Sequence, residues 1–181
     1  MTVQAIDGAP DNGQPLIYRT LLAAIALSQT SVHLTTGFFV PTPDLKQALK
    51  TAAKRGIDVQ VIVPGQSTSD AAVGAGRSEY GELLQAGVKL HEFQKRVLHA
   101  KTAVIDGSWS AVGSSNLDWR STVWNNEIDA IILGAEFGRK MEELFQNDLS
   151  ASKNIDLATW RSRGLGMRVR ELKTQLFKNL L

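Results

Sequence analysis

Apolar residues recur along this chain at two spacings, and the switches between them lay out the elements. Leu16, Ile17, Leu21, Ala24 and Ile25 fall at helical spacing and predict a helix over Leu16–Leu27, followed by a strand over Ser31–Val40. Pro43 and Asp44 open a second helix that runs to Arg55 and Gly56, where a basic residue and a glycine mark its end. Ile57–Val63 is a nearly unbroken β-branched run, the pattern of a strand buried on both faces. A small-residue loop over Pro64–Gly76 leads to a helix over Arg77–Gln85, ended by Gly87, and a strand over Val88–Phe93. Strands are predicted next over Val97–Ile105 and Trp109–Val112, joined by an Asp106-Gly107 turn, and then over Glu127–Leu133. An amphipathic helix over Glu136–Leu149 carries Phe137, Met141, Leu144, Phe145 and Leu149 on one stripe. The alternation of helix and strand, repeated three times before residue 97, is that of an α/β fold.

Ordinary globular composition, 43% hydrophobic and 21% charged over 181 residues, fits one domain with one sizeable core and argues against disorder. With no cysteine there is neither a disulfide framework nor a thiolate metal site, and the compartment stays undecided. The first residues, MTVQAIDGAPDNGQP, have no basic and apolar regions of a signal peptide and begin abruptly, like a segment of something longer. No apolar run reaches the ~20 residues of a membrane span, so membrane contact is expected to be peripheral. The net charge of +2 is uneven: residues 153–181 hold seven Lys or Arg against two acids, which leaves the remainder at −3. From Ile155 to Leu181 the chain reads as a basic amphipathic helix, with Val169, Leu172, Leu176 and Leu180 on its stripe. Such a helix can lie on an anionic bilayer or dock on the core, and docking is preferred because the stripe is no wider than a core contact needs.

Chemistry concentrates in Leu98–Asn116, LHAKTAVIDGSWSAVGSSN. On a strand His99 and Lys101 share a face, and Gly113-Ser114-Ser115-Asn116 forms a hydroxyl-rich turn. This set suits a phosphate ester: a neutral imidazole can attack phosphorus, a fixed cation with Ser114 and Asn116 can hold the non-bridging oxygens, and a carboxylate can fix the imidazole tautomer. Other residues have blander readings. His33 and His91 are expected to be satisfied strand histidines, and one of Phe38 and Phe39 to line a cleft. Lys95 and Arg96 precede the motif, and Arg120 and Trp124 follow it, as weak candidates for gathering an anionic head group.

His99, Lys101 and Asp106 match the HxKxxxxD signature of the phospholipase D superfamily at every spacing, and Gly113, Ser114 and Asn116 resemble that family's GSxN. Phrases such as TTGFFVPTPDL, VQVIVPG, AGRSEY and NNEIDAIILG extend the resemblance over Ile17–Trp160, where the chain is similar to the C-terminal catalytic half of bacterial cardiolipin synthases. The resemblance implies a central mixed β-sheet flanked by helices on both faces. It also implies phosphatidyl transfer through a covalent phosphohistidine on His99, with no metal or other cofactor, at the cytoplasmic side of a bacterial inner membrane. Lys101 and Asp106 would complete the motif, Asp106 mostly holding the turn. Glu127, twenty-eight residues past His99, would orient the imidazole, and Ser114 and Asn116 would bind the phosphate of a phosphatidylglycerol-like substrate.

Family enzymes of this type carry two such motifs per polypeptide, whereas this sequence has one HxKxxxxD and no internal repeat. One imidazole cannot easily serve both as nucleophile and as proton donor to the leaving alkoxide. The expectation is therefore half of a site, completed by homodimerisation or by a separate N-terminal half. The alternative is a dimeric phosphodiesterase acting on nucleic acid, which the basic C-terminal segment would suit.

Overall fold

The computed structural model describes residues 1–8, 15–66 and 70–164. Its centre is an eight-stranded mixed sheet of β1 (Thr2–Gly8), β2 (Ser31–Thr35), β4 (Asp58–Pro64), β5 (Lys89–Phe93), β6 (Thr102–Ile105), β7 (Trp109–Gly113), β9 (Glu127–Leu133) and β10 (Ser152–Ile155). Their order is β1-β9-β7-β6-β2-β4-β5-β10. A two-stranded parallel ladder, β3 (Phe39–Val40) with β8 (Leu117–Asp118), lies beside it. The helices are α1 (Leu16–Leu27), α2 (Pro43–Lys54), α3 (Asp70–Gln85), α4 (Trp119–Val123), α5 (Ala135–Ser150) and α6 (Leu157–Ser162).

The parallel part, β2-β4-β5, is the helix–strand alternation read from the sequence, with α2 and α3 as its crossovers. Everything from β6 to β1 is antiparallel. Helices cover both faces, as expected. On one, Tyr18 and Ile25 of α1, Leu45 and Leu49 of α2, and Tyr80 and Leu83 of α3 close over Leu34, Val59, Val61, Val63 and Leu90. On the other, Phe145 and Leu149 of α5 pack with Ile62, Phe93 and Leu98. Val61 and Ile62 thus face opposite cores, the reason that strand is β-branched without alternation.

Side-chain caps fix the helix ends. Thr42 accepts from Leu45 N at the start of α2, and the Arg55 guanidinium donates to the Ile25 and Ser28 carbonyls at the end of α1. Tyr18 Oη bonds both Thr42 Oγ1 and Leu45 N, tying α1 to the α2 cap. His33 is buried and satisfied: Nδ1 lies 2.7 Å from Glu142 of α5, Nε2 3.3 Å from Asp58, and the ring stacks on Phe145. His91 bonds Gln60.

Several boundaries differ from those predicted. The first strand breaks after Thr35, because Thr36 turns its hydroxyl to the Phe38 carbonyl and a second short strand starts at Phe39. α3 begins at Asp70 and absorbs half of the predicted Pro64–Gly76 loop. Its Gly76 is required by packing rather than by a turn, since a Cβ there would strike the Phe39 carbonyl. β6 starts only at Thr102, leaving His99 and Lys101 in the segment that leads into it. Two edge strands, β1 and β10, were not predicted. Of the expected helix from Ile155, the described part is the end of β10 and α6; residues 165–181, with the preferred docking of the basic stripe, lie outside the described residues.

Candidate active site

At one end of the sheet, the exit of β2, the entries of β6 and β9 and the turn after β7 converge. Leu98 is buried between the sheet and α5, so its neighbour His99 is turned outward and exposed. Lys101 Nζ lies 3.1 Å from His99 Nδ1 and donates to the His99 carbonyl at 2.8 Å. Gly37, just past β2, lets the two segments meet: a Cβ there would sit 3.0 Å from the Leu98 carbonyl and 3.3 Å from Lys101 Nζ.

Lys101, Asn116 and Glu127 line a cleft of about 640 Å³, counting its open mouth, that runs under α1. Asn116 is held from two sides: its N–H donates to Ser121 Oγ, and its Oδ1 accepts from Phe38 N at 3.1 Å. Its NH₂ therefore carries the remaining donors. Burial lowers the pKa of Lys101, while the negative charges of Glu127 and Asp118 oppose the drop.

The remaining expected residues are placed differently. Asp106, with φ of 51°, stands at the opposite end of β6 from Lys101. Its carboxylate accepts from the backbone N–H groups of Gln29, Thr30 and Ser31 and from the Thr30 hydroxyl, which fixes the entry to β2. Ser114 is near the cleft, yet its hydroxyl accepts from Ile128 N at 3.0 Å, and Ser115 rather than Ser114 lines the wall. Glu127 Oε1 accepts from Asn125 Nδ2 at 3.2 Å; among the described contacts it has no hydrogen bond to His99. Phe39 is core, and Phe38 half-buried.

Two buried carboxylates were missed. Asp118 caps α4 by accepting from Ser121 N at 2.7 Å; burial pushes its pKa up and the Glu127 charge adds to the rise. Asp129 accepts from Ser115 N at 3.2 Å and lines the cleft; burial raises its pKa too, against hydrogen bonds from Ser115 and Ser114. The signal for Asp129 was in the pattern: Glu127 and Asp129 alternate on one strand and share a face with Ile131. Gly113 pairs with Asp129 in register, and a Cβ at Gly113 would fall on the Asp129 carboxylate, so the first residue of the GSSN turn must be glycine.

Comparison with known proteins places the chain in a family. The family model described as "Cardiolipin synthase, PLD-like domain" matches residues 21–149. Cardiolipin synthase A of Yersinia pseudotuberculosis and of Yersinia pestis are each 37% identical over 180 residues, which covers 99% of this chain and 37% of theirs. The chain thus spans little more than a third of the length of these relatives. Nuc from Salmonella typhimurium, a phospholipase D family member, superposes with a TM-score of 0.72 at 20% identity, covering 86% of this chain and 98% of Nuc. Phosphatidylserine synthase from Haemophilus influenzae superposes with a TM-score of 0.77 at 15% identity, covering 99% of this chain and 48% of that one. At these identities the likeness is one of fold. The sequence match across most of the chain, on the sheet and cleft described above, makes it a member of the cardiolipin synthase, phospholipase D-like domain family.

Proposed function

We propose that this chain is one motif-bearing half of a phosphatidyltransferase of the cardiolipin synthase kind, with His99 as its nucleophile. The observation that carries the reading is the exposed imidazole 3.1 Å from Lys101, whose side chain lines a cleft together with Asn116 and Glu127. In the proposed first step His99 Nε2 forms a bond to phosphorus, the bond from phosphorus to the leaving alcohol breaks, and the alkoxide takes a proton. In the second step the acceptor hydroxyl attacks phosphorus, loses its proton and releases His99. Lys101 and the Asn116 amide stabilise the charge on the non-bridging oxygens.

The imidazole has to turn for this. A charged Lys101 donates to Nδ1 and leaves the ring proton on Nε2, whereas attack needs Nε2 free and Nδ1–H donating. Glu127, in the cleft lining, is the acceptor assigned to that second orientation. Asp106 is assigned to holding the turn. The acid that protonates the leaving group is assigned to a second motif, from another copy or from a separate half.

The donor is taken to be a phosphatidylglycerol-like lipid, which puts the chain at a bilayer surface, peripherally on the cytoplasmic side of the inner membrane. Among the described residues no helix is long and apolar enough to cross a membrane. Incubation with labelled phosphatidylglycerol, with the second motif in place, followed by a denaturing quench at neutral pH that spares the acid-labile P–N bond, is expected to leave a phosphatidyl adduct on the wild-type chain and none on His99→Ala. An adduct that survives in His99→Ala overturns the assignment.

A further inference from the structure

On the face of the sheet that α1 covers, the register sets side chains in rows. Leu34, Ala103, Ala111 and Ile131 stand side by side across β2, β6, β7 and β9. One step nearer the loops, Gly113 pairs with Asp129 and donates its N–H to the Lys101 carbonyl. Ala103, Ala111 and Gly113 are therefore neighbours at the middle of the sheet, and side chains this small do not fill the space between a sheet and a helix. The cleft is the result. Leu34 and Ile131 form its sides, Ile17, Tyr18 and Leu21 of α1 its roof, and its polar groups, Lys101, Asn116, Glu127 and Asp129 among them, gather toward the loops.

An interior normally closes such a hollow with larger side chains, because an unfilled cavity costs stability. This one is kept open and is continuous with Lys101 and Asn116. We infer that the hollow under α1 is a subsite for the hydrocarbon chain of a phospholipid whose phosphate rests against Lys101 and Asn116. The inference rests on the phosphatidyltransferase reading and gives that reading its substrate selectivity. The occupant follows from the floor of the hollow: hydroxyl-bearing residues such as Thr102, Ser115 and Thr122 also line the cleft, but the row Leu34, Ala103, Ala111, Ile131 offers no donor or acceptor to the edge of a nucleobase, whereas methylenes need none.

The test compares three phosphodiesters binding to the full chain by calorimetry: dihexanoyl phosphatidylglycerol below its micelle concentration, the chainless glycerophosphoglycerol, and a thymidine dinucleotide. The six-carbon lipid is expected to bind at least about tenfold more tightly than the chainless diester, the gain from roughly two buried methylenes. Ala111→Leu, which fills the hollow, should abolish that gain, leave glycerophosphoglycerol affinity within about twofold of wild type, and give a Tm no lower than wild type. Leu21→Trp fills the same space from the half-buried face of α1 and serves if the first variant does not fold. Equal affinity for the two glycerol diesters overturns the inference, as does a chain preference intact in both variants. Tighter binding of the dinucleotide, blocked by Ala111→Leu, overturns it in favour of a base subsite. Lys101→Met separates the two levels: if it leaves all three affinities unchanged while the chain preference persists, the hollow stands and the proposed phosphate site falls.

Discussion

Asp106 shows how much a motif says and where it stops. Its spacing from Lys101 spans the four residues of β6, about 13 Å of strand, so the two side chains serve opposite ends of it. The carboxylate gathers three backbone N–H groups and a hydroxyl from residues 29–31. Asp106→Ala is expected to cost roughly 2–3 kcal/mol of stability, from hydrogen bonds to a charged group, with phosphodiester affinity unchanged; urea unfolding and calorimetry check the two halves. Titration gives a second expectation. Burial opposes ionisation of Asp106, but the N–H groups of Ser31, Thr30 and Gln29 outweigh it and lower the pKa. At Asp58 burial is likewise outweighed, by hydrogen bonds from Lys89, Gln60 and His33, and its pKa falls to about 2. A carboxyl whose folded pKa is depressed lends stability above its unfolded value and loses it as pH falls toward the folded one. Urea midpoints should therefore decline from about pH 4 toward pH 2, with a shallower slope in Asp58→Asn. The sequence supplied the residue type at position 106 but not its partners, which lie more than seventy residues upstream.

At the scale of elements, β9 and the turn it supports are the next step. Asp129 sits in the space that Gly113 leaves vacant and anchors Ser115 N, so the turn proposed to bind phosphate is held from the strand behind it. Asp129→Ala should cost roughly 1 kcal/mol by leaving a half-buried N–H without its acceptor, speed hydrogen exchange at the Ser115 amide and weaken glycerophosphoglycerol binding. Asp129→Asn, which keeps an acceptor oxygen, should restore most of both. A fully protected Ser115 amide in Asp129→Ala would remove the anchoring role. Elements of this kind were readable where local pattern decides: α1 and β9 match their predicted bounds, and α2 ends one residue from its own. They were not readable where long-range packing decides. β1, an edge strand exposed along much of its length, is defined by pairing with β9 more than a hundred residues away. The first turns of α3 contain Gly74 and Gly76, which read as loop until Phe39 is seen to press its carbonyl against Gly76.

For the whole molecule, the proposed two-step transfer asks for one group more than a single imidazole supplies. The leaving alkoxide needs an acid on the side of phosphorus opposite to His99, since nucleophile and leaving group lie roughly in line. Lys101 and Asn116 are already assigned to the non-bridging oxygens, Glu127 to orienting the imidazole, and Asp129 is held on Ser115 N. The second acid is thus expected from outside the chain, and exposed apolar surface adjoins Glu127 in the sequence: Trp124 and Ile128, on either side of it, are 65% and 60% exposed. The two ways of supplying it predict different stoichiometry. In a two-fold dimer the imidazoles face each other across one phosphorus, so only one of the pair is phosphatidylated at a time. Intact-mass measurement after quench should then show about one phosphatidyl group per two chains at saturating donor, with the dimer mass in sedimentation. Ile128→Asp would lower both the dimer fraction and the adduct yield. If a separate half supplies the acid instead, the purified chain is expected to sediment as a monomer and to carry adduct only after that half is added. One adduct per chain on an isolated monomer would defeat both arrangements and return the proton donor to this chain, with Glu127 the first residue to replace.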